Sequence, residues 1–343
     1  MAYGHQGWKW ADNVRNQIER VRISLPGHYL SIPRIHSSDT NQPCSIPGDS
    51  YYSTIRDGAG VGYQYTNNCN ASTTKDLSGT IWNYVNRTIV NDGTSVFNIP
   101  LLRRDDLKTF FIVFPGSANT ENFEQDAKIK LVDYGNPTCS GCQVHEGFLE
   151  AWNAVRGPTL KLINDNIKGP YANYNLFSTG GSLGGALAAL AFAEFRTNTA
   201  LGLSAKTTRG YSFGQPRTGN FAFAKWFNGK SGASPSQVGD FIRVTHGYDS
   251  IPRSPPVSNA YGINQTPNDI YQHHGTEVWE LDNPSNGNHP SASTTYVCPM
   301  RSDQSESGDC VTAAFNPGNT GDHVTYAGYD GPVKWEVVAC GRT

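Results

Sequence analysis

The sequence predicts an α/β fold in which helices flank a mostly parallel central sheet. Residues 110–114 (FFIVF) form an apolar run of strand length, of the kind that is buried on both faces of a parallel sheet. Further strand-length runs follow at residues 176–179, 208–214 and 240–246. Helix-forming segments separate these runs, and the alternation implies right-handed crossovers between parallel strands.

The segment between the first two strands predicts an amphipathic helix. Its apolar residues recur at helical spacing and are Phe148, Trp152, Val155, Leu162 and Ile163. Gly169 and Pro170 end this helix. His145 stands just before it, where a structural role is commoner than a catalytic one.

The second strand stops at a glycine-rich turn that carries one serine. The turn reads GGSLGG over residues 180–185, and a helix of small residues follows. A serine on a strained strand-to-helix turn needs neighbours without side chains, because the chain passes close to itself there. The pattern predicts a nucleophile elbow with Ser182 as the nucleophile. The N–H of Leu183, at the start of the helix, is the first candidate oxyanion donor.

A membrane span is the alternative interpretation of this stretch, since residues 171–193 carry no charge. Its glycines, asparagines and central turn argue against a span, and its continuously apolar part, residues 186–193, is too short to cross a bilayer. We therefore expect no transmembrane segment.

Composition indicates a secreted protein without a nucleic-acid partner. The net charge of the 343 residues is −2, without a basic stripe, and only 16% of the residues are charged. Sequons at Asn70, Asn86 and Asn264 fit a secretory route and are candidate N-glycosylation sites. No signal peptide is evident in residues 1–30, so we expect the mature form.

Seven cysteines also favour an oxidising compartment. We expect a local disulfide between Cys139 and Cys142, because no second C-x-x-C or histidine pair completes a zinc site. We accordingly expect neither a metal nor a cofactor. Sequence alone leaves the other pairings open; the candidate pairs are Cys298–Cys310, which would close a polar loop, and Cys69–Cys340, with Cys44 left over.

The chain is expected to form one catalytic domain with an extension. Residues 1–49 contain a short helical pattern that reaches Val21 and then several prolines, which predicts an arm wrapping the surface. Residues 50–343 form the single domain in this interpretation.

Residues 115–117 (PGS) follow the first buried strand, at the edge of the sheet where ligands of α/β proteins bind. The N–H of Ser117 is therefore the second candidate oxyanion donor, although an ordinary turn remains the alternative. The next segment, from Asn119 to Asp126, is placed where a lid could cover the site. Phe123 is its one large apolar side chain, so this lid would be polar.

An acid and a base are expected after the elbow in chain order. Asp249 follows the strand at residues 240–246 and is the candidate acid, although many loop aspartates are merely solvated. His323, after a glycine-rich loop, is the preferred base. The other histidines that follow the elbow unit and the acid are His273, His274 and His289, and the reserve acids are Asp240 and Asp269.

Several stretches together resemble the fungal class 3 lipase family, including its feruloyl esterase branch. The stretches are CSGCQVHEGFLEAW (139–152), residues 179–189, YSFGQPRTGNFAF (211–223), RVTHGYDSIP (243–252) and residues 321–326. The resemblance runs from about Tyr51 to Cys340, and Gly181 stands where the family usually has a histidine.

The resemblance implies an α/β-hydrolase fold with a lid over the active site and a triad of Ser182, Asp249 and His323. It also implies oxyanion donors at Ser117 and Leu183. We expect a secreted serine ester hydrolase acting on acylglycerols and other carboxylic esters, at a lipid–water interface in some cases.

Two alternatives remain open at this point. The first is a feruloyl-type esterase acting on aryl esters of plant cell walls, which the polar lid favours. The second is a surface- or carbohydrate-binding protein without catalysis, against which an intact triad argues. Apolar residues beyond the acid allow an acyl pocket, namely Ile251, Pro252 and Val257.

Overall fold

The computed structural model describes a large part of the chain with several gaps. The described residues are 19–25, 28–34, 73–75, 81–93, 95–117, 129–202, 208–256, 270–282, 285, 290–298, 300–307, 310, 321–326 and 329–330.

Strands outnumber helices in this part of the chain. The strands are β1 Glu19–Leu25, β2 His28–Arg34, β3 Thr73–Lys75, β4 Ile81–Asn91, β5 Val96–Arg104, β6 Thr109–Phe114, β7 Leu131–Asp133, β8 Gln143–His145, β9 Asn175–Gly181, β10 Thr208–Phe213, β11 Gly219–Asn220, β12 Phe241–His246, β13 Tyr271–Gln272, β14 Thr276–Glu280, β15 Thr295–Cys298, β16 Thr325–Tyr326 and β17 Tyr329–Asp330. The α-helices are α1 Glu146–Asn166, α2 Leu183–Thr197 and α3 Phe221–Ser231. Short 3₁₀ helices span Gly169–Tyr171, Thr199–Leu201, Ile251–Arg253, Ala292–Thr294 and Asp322–Val324.

The main sheet of the described residues has nine strands in the order β15-β14-β12-β10-β9-β6-β5-β4-β3. Its middle strands β6, β9, β10, β12 and β14 run parallel, and the strands at both edges pair antiparallel. The predicted α/β fold with a mostly parallel sheet is confirmed. The carboxyl ends of β6, β9, β10 and β12 therefore meet at one edge, where open α/β sheets bind ligands.

The residues that the sequence pattern assigns to the core side of each helix are buried in the structure. In α1 the buried residues include Phe148, Trp152 and Val155, and the Trp152 ring meets the Phe114 ring of β6 edge to face. Along α2, every residue from Gly184 to Ala193 is buried. Most of these residues are small, so the helix approaches the sheet closely enough to hold the elbow against it.

The expected helix that reaches Val21 is wrong, because β1 and β2 form an antiparallel hairpin. Val21 lies opposite Ile32 and Ile23 lies opposite Leu30. Branched apolar residues at every second position favour a strand over a helix. The rest of residues 1–49 lies outside the described residues, so the division into an extension and a catalytic domain stays a prediction.

The structure contains two of the three candidate disulfides. Cys139–Cys142 closes a turn before β8, and Cys298–Cys310 joins the end of β15 to the loop that follows it. Both cysteines of the third candidate pair, Cys69 and Cys340, lie outside the described residues.

Burial lowers the pKa of three histidines, namely His145, His273 and His274. The His145 ring stacks on Phe148 at 4.0 Å, and burial lowers the pKa of His145 to about 4. Burial and the nearby charge of Arg243 also hold the pKa values of His273 and His274 well below the ordinary value. Each ring is therefore neutral at pH 7 in the folded protein.

These histidines make the fold sensitive to acid. The unfolded chain binds a proton at each histidine near pH 6.5, whereas folded His145 resists protonation down to about pH 4. The free energy of unfolding should therefore fall as the pH drops from 6.5 towards 4, and His145 alone accounts for up to about 3 kcal/mol of that loss. Urea unfolding at pH 7 and pH 4.5 measures it. The variant His145→Phe should lose less stability over this interval than the wild type, and an equal loss would contradict the assignment.

Candidate active site

Ser182 occupies the turn between β9 and α2 in a strained conformation. Its φ of 55° and ψ of −126° lie in a region that residues with a side chain rarely adopt. The Ser182 amide donates to the Phe213 carbonyl at 2.8 Å, which ties the turn to β10. The side chain is only 4% exposed, and its hydroxyl has no hydrogen-bond partner among the described residues. The turn thus presents a buried hydroxyl that structural contacts do not use.

The two glycines of the elbow are required by close backbone contacts. A Cβ at Gly180 would overlap the carbonyl oxygens of Gly184 and Phe114, and a Cβ at Gly184 would overlap that of Phe114. No side chain fits at either position. The G-x-S-x-G pattern therefore reflects the approach of the elbow to the end of β6.

The loop after β6 lies directly beside the serine. A Cβ on Gly116 would lie 3.2 Å from the Gly181 carbonyl oxygen and 3.5 Å from the Ser182 Cβ. Ser117, the next residue, is half-buried. Leu183 is the first residue of α2, where backbone N–H groups lack partners within the helix. The structure therefore brings both candidate oxyanion donors to the neighbourhood of Ser182.

The candidate acid and base are in hydrogen-bond contact. His323 Nδ1 donates to Asp249 Oδ2 at 2.7 Å, and these side chains are 4% and 0% exposed, respectively. The second oxygen, Asp249 Oδ1, accepts from the Ile251 amide at 2.9 Å. With its proton on Nδ1, the neutral imidazole has Nε2 available as an acceptor.

Gly214 connects this pair to the elbow. The Ser182 amide bonds to the carbonyl of Phe213, and the next residue, Gly214, has a φ of +58°. A Cβ on Gly214 would lie 2.8 Å from two atoms of the His323 ring. Ser182 and His323 thus both lie next to residues 213–214, at the carboxyl end of β10.

Tyr326 is a functional candidate that the sequence reasoning missed. Its hydroxyl donates to Asp249 Oδ2, the oxygen that also holds His323. The Tyr326 ring packs against Phe213 at 6.0 Å and His246 at 5.9 Å. A tyrosine three residues after the candidate base carries no pattern that would have marked it in advance.

Asp322 precedes the candidate base and does not orient it through its side chain. Asp322 Oδ2 accepts from the Tyr248 amide at 2.7 Å, and the Asp322 carbonyl accepts from His246 Nδ1 at 3.1 Å. These contacts join the loop of His323 to the loop of Asp249.

The other candidate bases and acids lie elsewhere. His273 Nε2 is 2.6 Å from the Pro252 carbonyl, and His274 Nε2 is 2.9 Å from Gln215 Nε2. Asp240 pairs with Arg196. Both His289 and Asp269 lie outside the described residues.

Several predicted site residues cannot be placed. The lid residues Asn119, Phe123 and Asp126, the pocket residue Val257, and the sequon residues Asn70 and Asn264 all lie outside the described residues. Of the remaining pocket candidates, Ile251 and Pro252 are buried in the 3₁₀ turn next to Asp249. Asn86 is exposed on β4.

The fold and this arrangement define a class of protein. A serine on a strained strand-to-helix turn lies near a buried aspartate–histidine pair, and all three residues stand at the carboxyl edge of a mostly parallel sheet. Serine hydrolases of the α/β-hydrolase fold have this arrangement.

Comparisons with known proteins narrow this class. Residues 111–259 match the family described as Lipase (class 3). A lipase of Rhizomucor miehei is 29% identical over 296 residues, covering 84% of this chain and 73% of that protein. The secreted mono- and diacylglycerol lipase 1 of Fusarium solani is 34% identical over 175 residues, covering 50% of this chain and 44% of the relative. The solved triacylglyceride lipase of Rhizomucor miehei superposes with a TM-score of 0.59 at 27% identity, over 76% of this chain and 83% of that one.

The chain is therefore similar to the class 3 lipases over residues 111–259, and to fungal lipases over longer stretches. It spans less than half the length of the Fusarium relative.

The contact between Asp322 and Tyr248 predicts a graded loss of activity. Replacing Asp322 by alanine removes the acceptor of the Tyr248 amide, so the loop of His323 should shift and kcat should fall about tenfold or more. Asp322→Asn keeps an accepting oxygen and should retain most of the rate. Hydrolysis of a soluble p-nitrophenyl ester measures both variants.

The matched control is Asp133→Ala, which removes a similar contact to the Gly135 amide in an exposed turn away from the site. Equal rates for Asp322→Ala and this control would refute the role of Asp322.

Proposed function

We propose that the chain is a lipase-like serine carboxylic ester hydrolase that forms an acyl-enzyme on Ser182. The observation that carries this proposal is the buried 2.7 Å hydrogen bond between His323 and Asp249, beside an elbow whose serine hydroxyl forms no hydrogen bond to any described residue. A buried acid and base aligned in this way have no evident structural purpose. They supply the general base that a serine hydroxyl needs to act as a nucleophile.

The mechanism follows from the protons that each group carries. As Ser182 Oγ attacks the ester carbonyl carbon, His323 Nε2 takes the serine proton, and Asp249 stabilises the resulting imidazolium through Nδ1–H. The carbonyl oxygen becomes an oxyanion, which the N–H groups of Leu183 and Ser117 stabilise. One such donor contributes about 3 kcal/mol to transition-state stabilisation.

Collapse of this intermediate breaks the bond to the alcohol, which leaves with the proton from His323. Water then attacks the acyl-enzyme while His323 accepts its proton. The bond from the acyl carbon to Ser182 Oγ breaks, His323 returns the proton to that oxygen, and the free acid is released. Atoms and charges balance with ester and water as the only reactants, so the proposed reaction requires no cofactor.

Acylglycerols are the proposed substrates, at a lipid–water interface in some cases. The Fusarium relative acts on mono- and diacylglycerols by name, and the solved Rhizomucor enzyme is a triacylglyceride lipase. We place the acyl chain against Ile251, Pro252 and Val257, beneath a lid formed by residues 119–126. Buried Ile251 and Pro252, next to the acid, support this placement.

A feruloyl-type activity on plant cell-wall esters is the second candidate. The lid segment favours it, because Phe123 is the one large apolar side chain there. A panel of tributyrin, triolein and methyl ferulate separates the two, since a class 3 lipase should prefer the acylglycerols. Binding without catalysis is a remote third candidate, and hydrolysis of any of these esters would exclude it.

The protein is proposed to be secreted. Relatives from Fusarium and Penicillium are named as secreted enzymes, and the two disulfides suit an oxidising compartment. None of the helices that the structure describes combines the length and apolar character needed to cross a bilayer. Asn70, Asn86 and Asn264 are proposed glycosylation sites, and exposure of Asn86 supports the second of these.

Substitution of the nucleophile tests the proposal directly. Ser182→Ala should lower the hydrolysis of p-nitrophenyl butyrate by about 10⁴-fold or more, because the covalent step is lost. Circular dichroism should show an unchanged fold. Retained turnover would place the nucleophile elsewhere. Ser178→Ala, on the same β-strand and also buried, is the matched control and should retain the wild-type rate.

The lid segment predicts how the rate depends on substrate. A lid with a single large apolar side chain gains little by opening onto a lipid surface, about 2–3 kcal/mol at most. The rate on tributyrin should therefore rise smoothly through the solubility limit of the ester. A sharp increase once droplets form would show that the lid has a broader apolar face than residues 119–126 provide.

A further inference from the structure

Arg217 binds the segment that follows the candidate acid. Its backbone N–H donates to the Ser254 carbonyl at 2.8 Å. Its guanidinium Nη1 donates to the carbonyls on both sides, those of Arg253 and Pro255. One residue thus holds three consecutive carbonyl groups of residues 252–255, which we name the strap.

His273 and Glu306 complete this arrangement. The carbonyl of Pro252, the first residue of the strap, lies 2.6 Å from His273 Nε2. Glu306 accepts from Arg217 Nη2 at 2.6 Å and from the His273 amide at 2.8 Å. All four carbonyls of the strap therefore accept a hydrogen bond from Arg217 or His273. The Glu306 carboxylate accepts hydrogen bonds from both of these residues and so links them. We name these three residues the clamp.

The clamp is buried and its charge states are defined. Arg217 and Glu306 side chains are 2% and 9% exposed. Burial would raise the pKa of Glu306, but the charge and hydrogen bonds of Arg217 outweigh burial, and the pKa lies below its ordinary value. Burial and nearby arginines keep His273 neutral, so its one ring proton is on Nε2 and is donated to the Pro252 carbonyl.

Stability alone is a weak explanation for such a group. Apolar residues of similar volume often replace a buried ion pair without loss of stability, because desolvation offsets the attraction. A guanidinium fork can instead hold a carboxylate and backbone carbonyls in fixed directions. What the clamp provides is a defined position for the strap.

The strap is joined rigidly to Asp249. The Ile251 amide donates to Asp249 Oδ1, and the Ser254 amide donates to the Ile251 carbonyl at 2.9 Å. In the same turn, the Arg253 amide donates to the Ser250 carbonyl at 3.0 Å. A single 3₁₀ turn therefore connects the acid to the strap, and a shift of the strap must move the Asp249 carboxylate or the buried wall at Ile251.

We propose that Arg217, with Glu306 and His273, is a positioning residue for ester hydrolysis. It fixes the strap and thereby the orientation of Asp249 towards His323 and the wall of the acyl pocket at Ile251 and Pro252. This inference rests on the proposed function of the triad.

Arg217→Lys tests the proposal. Lysine keeps the positive charge beside Glu306, but a single ammonium group cannot also reach both Arg253 and Pro255 carbonyls. We expect kcat on p-nitrophenyl butyrate to fall about 10- to 100-fold per folded molecule, because small displacements of reacting groups have effects of this size. The amides of residues 249–254 should exchange faster with deuterium than in the wild type.

Arg243→Lys is the matched control. Arg243 is also buried and faces Glu277 at 3.5 Å, but it donates to the His274 carbonyl and does not contact the strap. Its lysine variant should keep kcat within about twofold and leave exchange at residues 249–254 unchanged. Equal kcat and equal exchange in the two variants would overturn the proposal.

A double variant decides the question if Arg217→Lys does not fold. Arg217→Met with Glu306→Met removes both charges together, which the fold should tolerate, and it still lacks the donors to the strap. A folded double variant with wild-type kcat and exchange would overturn the proposal. If the wild type hydrolyses no ester, the proposed function fails, whereas the exchange comparison still tests the clamp.

Discussion

The site depends on a close approach between two stretches of backbone. The start of α2 passes so near the carbonyl of Phe114 that neither Gly180 nor Gly184 can carry a side chain. This approach joins the exit of β6, the turn at Ser182 and the first turn of α2 into one unit. The proposed nucleophile and oxyanion donors therefore share an edge of the sheet, and the small residues of α2 are what let the helix pack there.

Features that depend on neighbouring residues could be predicted from the sequence. The apolar run at residues 110–114 is β6, and the helical repeat from Phe148 to Ile163 lies within α1. Cys139–Cys142 spans only three positions, so proximity in the chain already favours the pair. The hairpin of β1 and β2 was missed because the local pattern near Val21 was read as helical, although its alternation fits a strand.

Contacts between distant residues could not be predicted. Tyr326 and Asp249 are 77 positions apart, and Arg217 and Glu306 are 89 apart. Hydrophobic periodicity reports which face of an element is buried, but it carries no information on which polar group a buried donor will meet. Asp249 and His323 could be proposed because the order of a triad restricts the choices. Tyr326 and Arg217 have no such restriction, and only the folded chain shows their partners.

The Cys298–Cys310 bond has a consequence that reaches beyond its own loop. The covalent ring it closes spans residues 298–310 and contains Glu306, which lies against Arg217. The disulfide between Cys298 and Cys310 restricts the positions that Glu306 can reach in an incompletely folded chain. The disulfide and the proposed clamp are therefore linked through one loop, so reduction of Cys298–Cys310 loosens the segment that carries the Glu306 carboxylate.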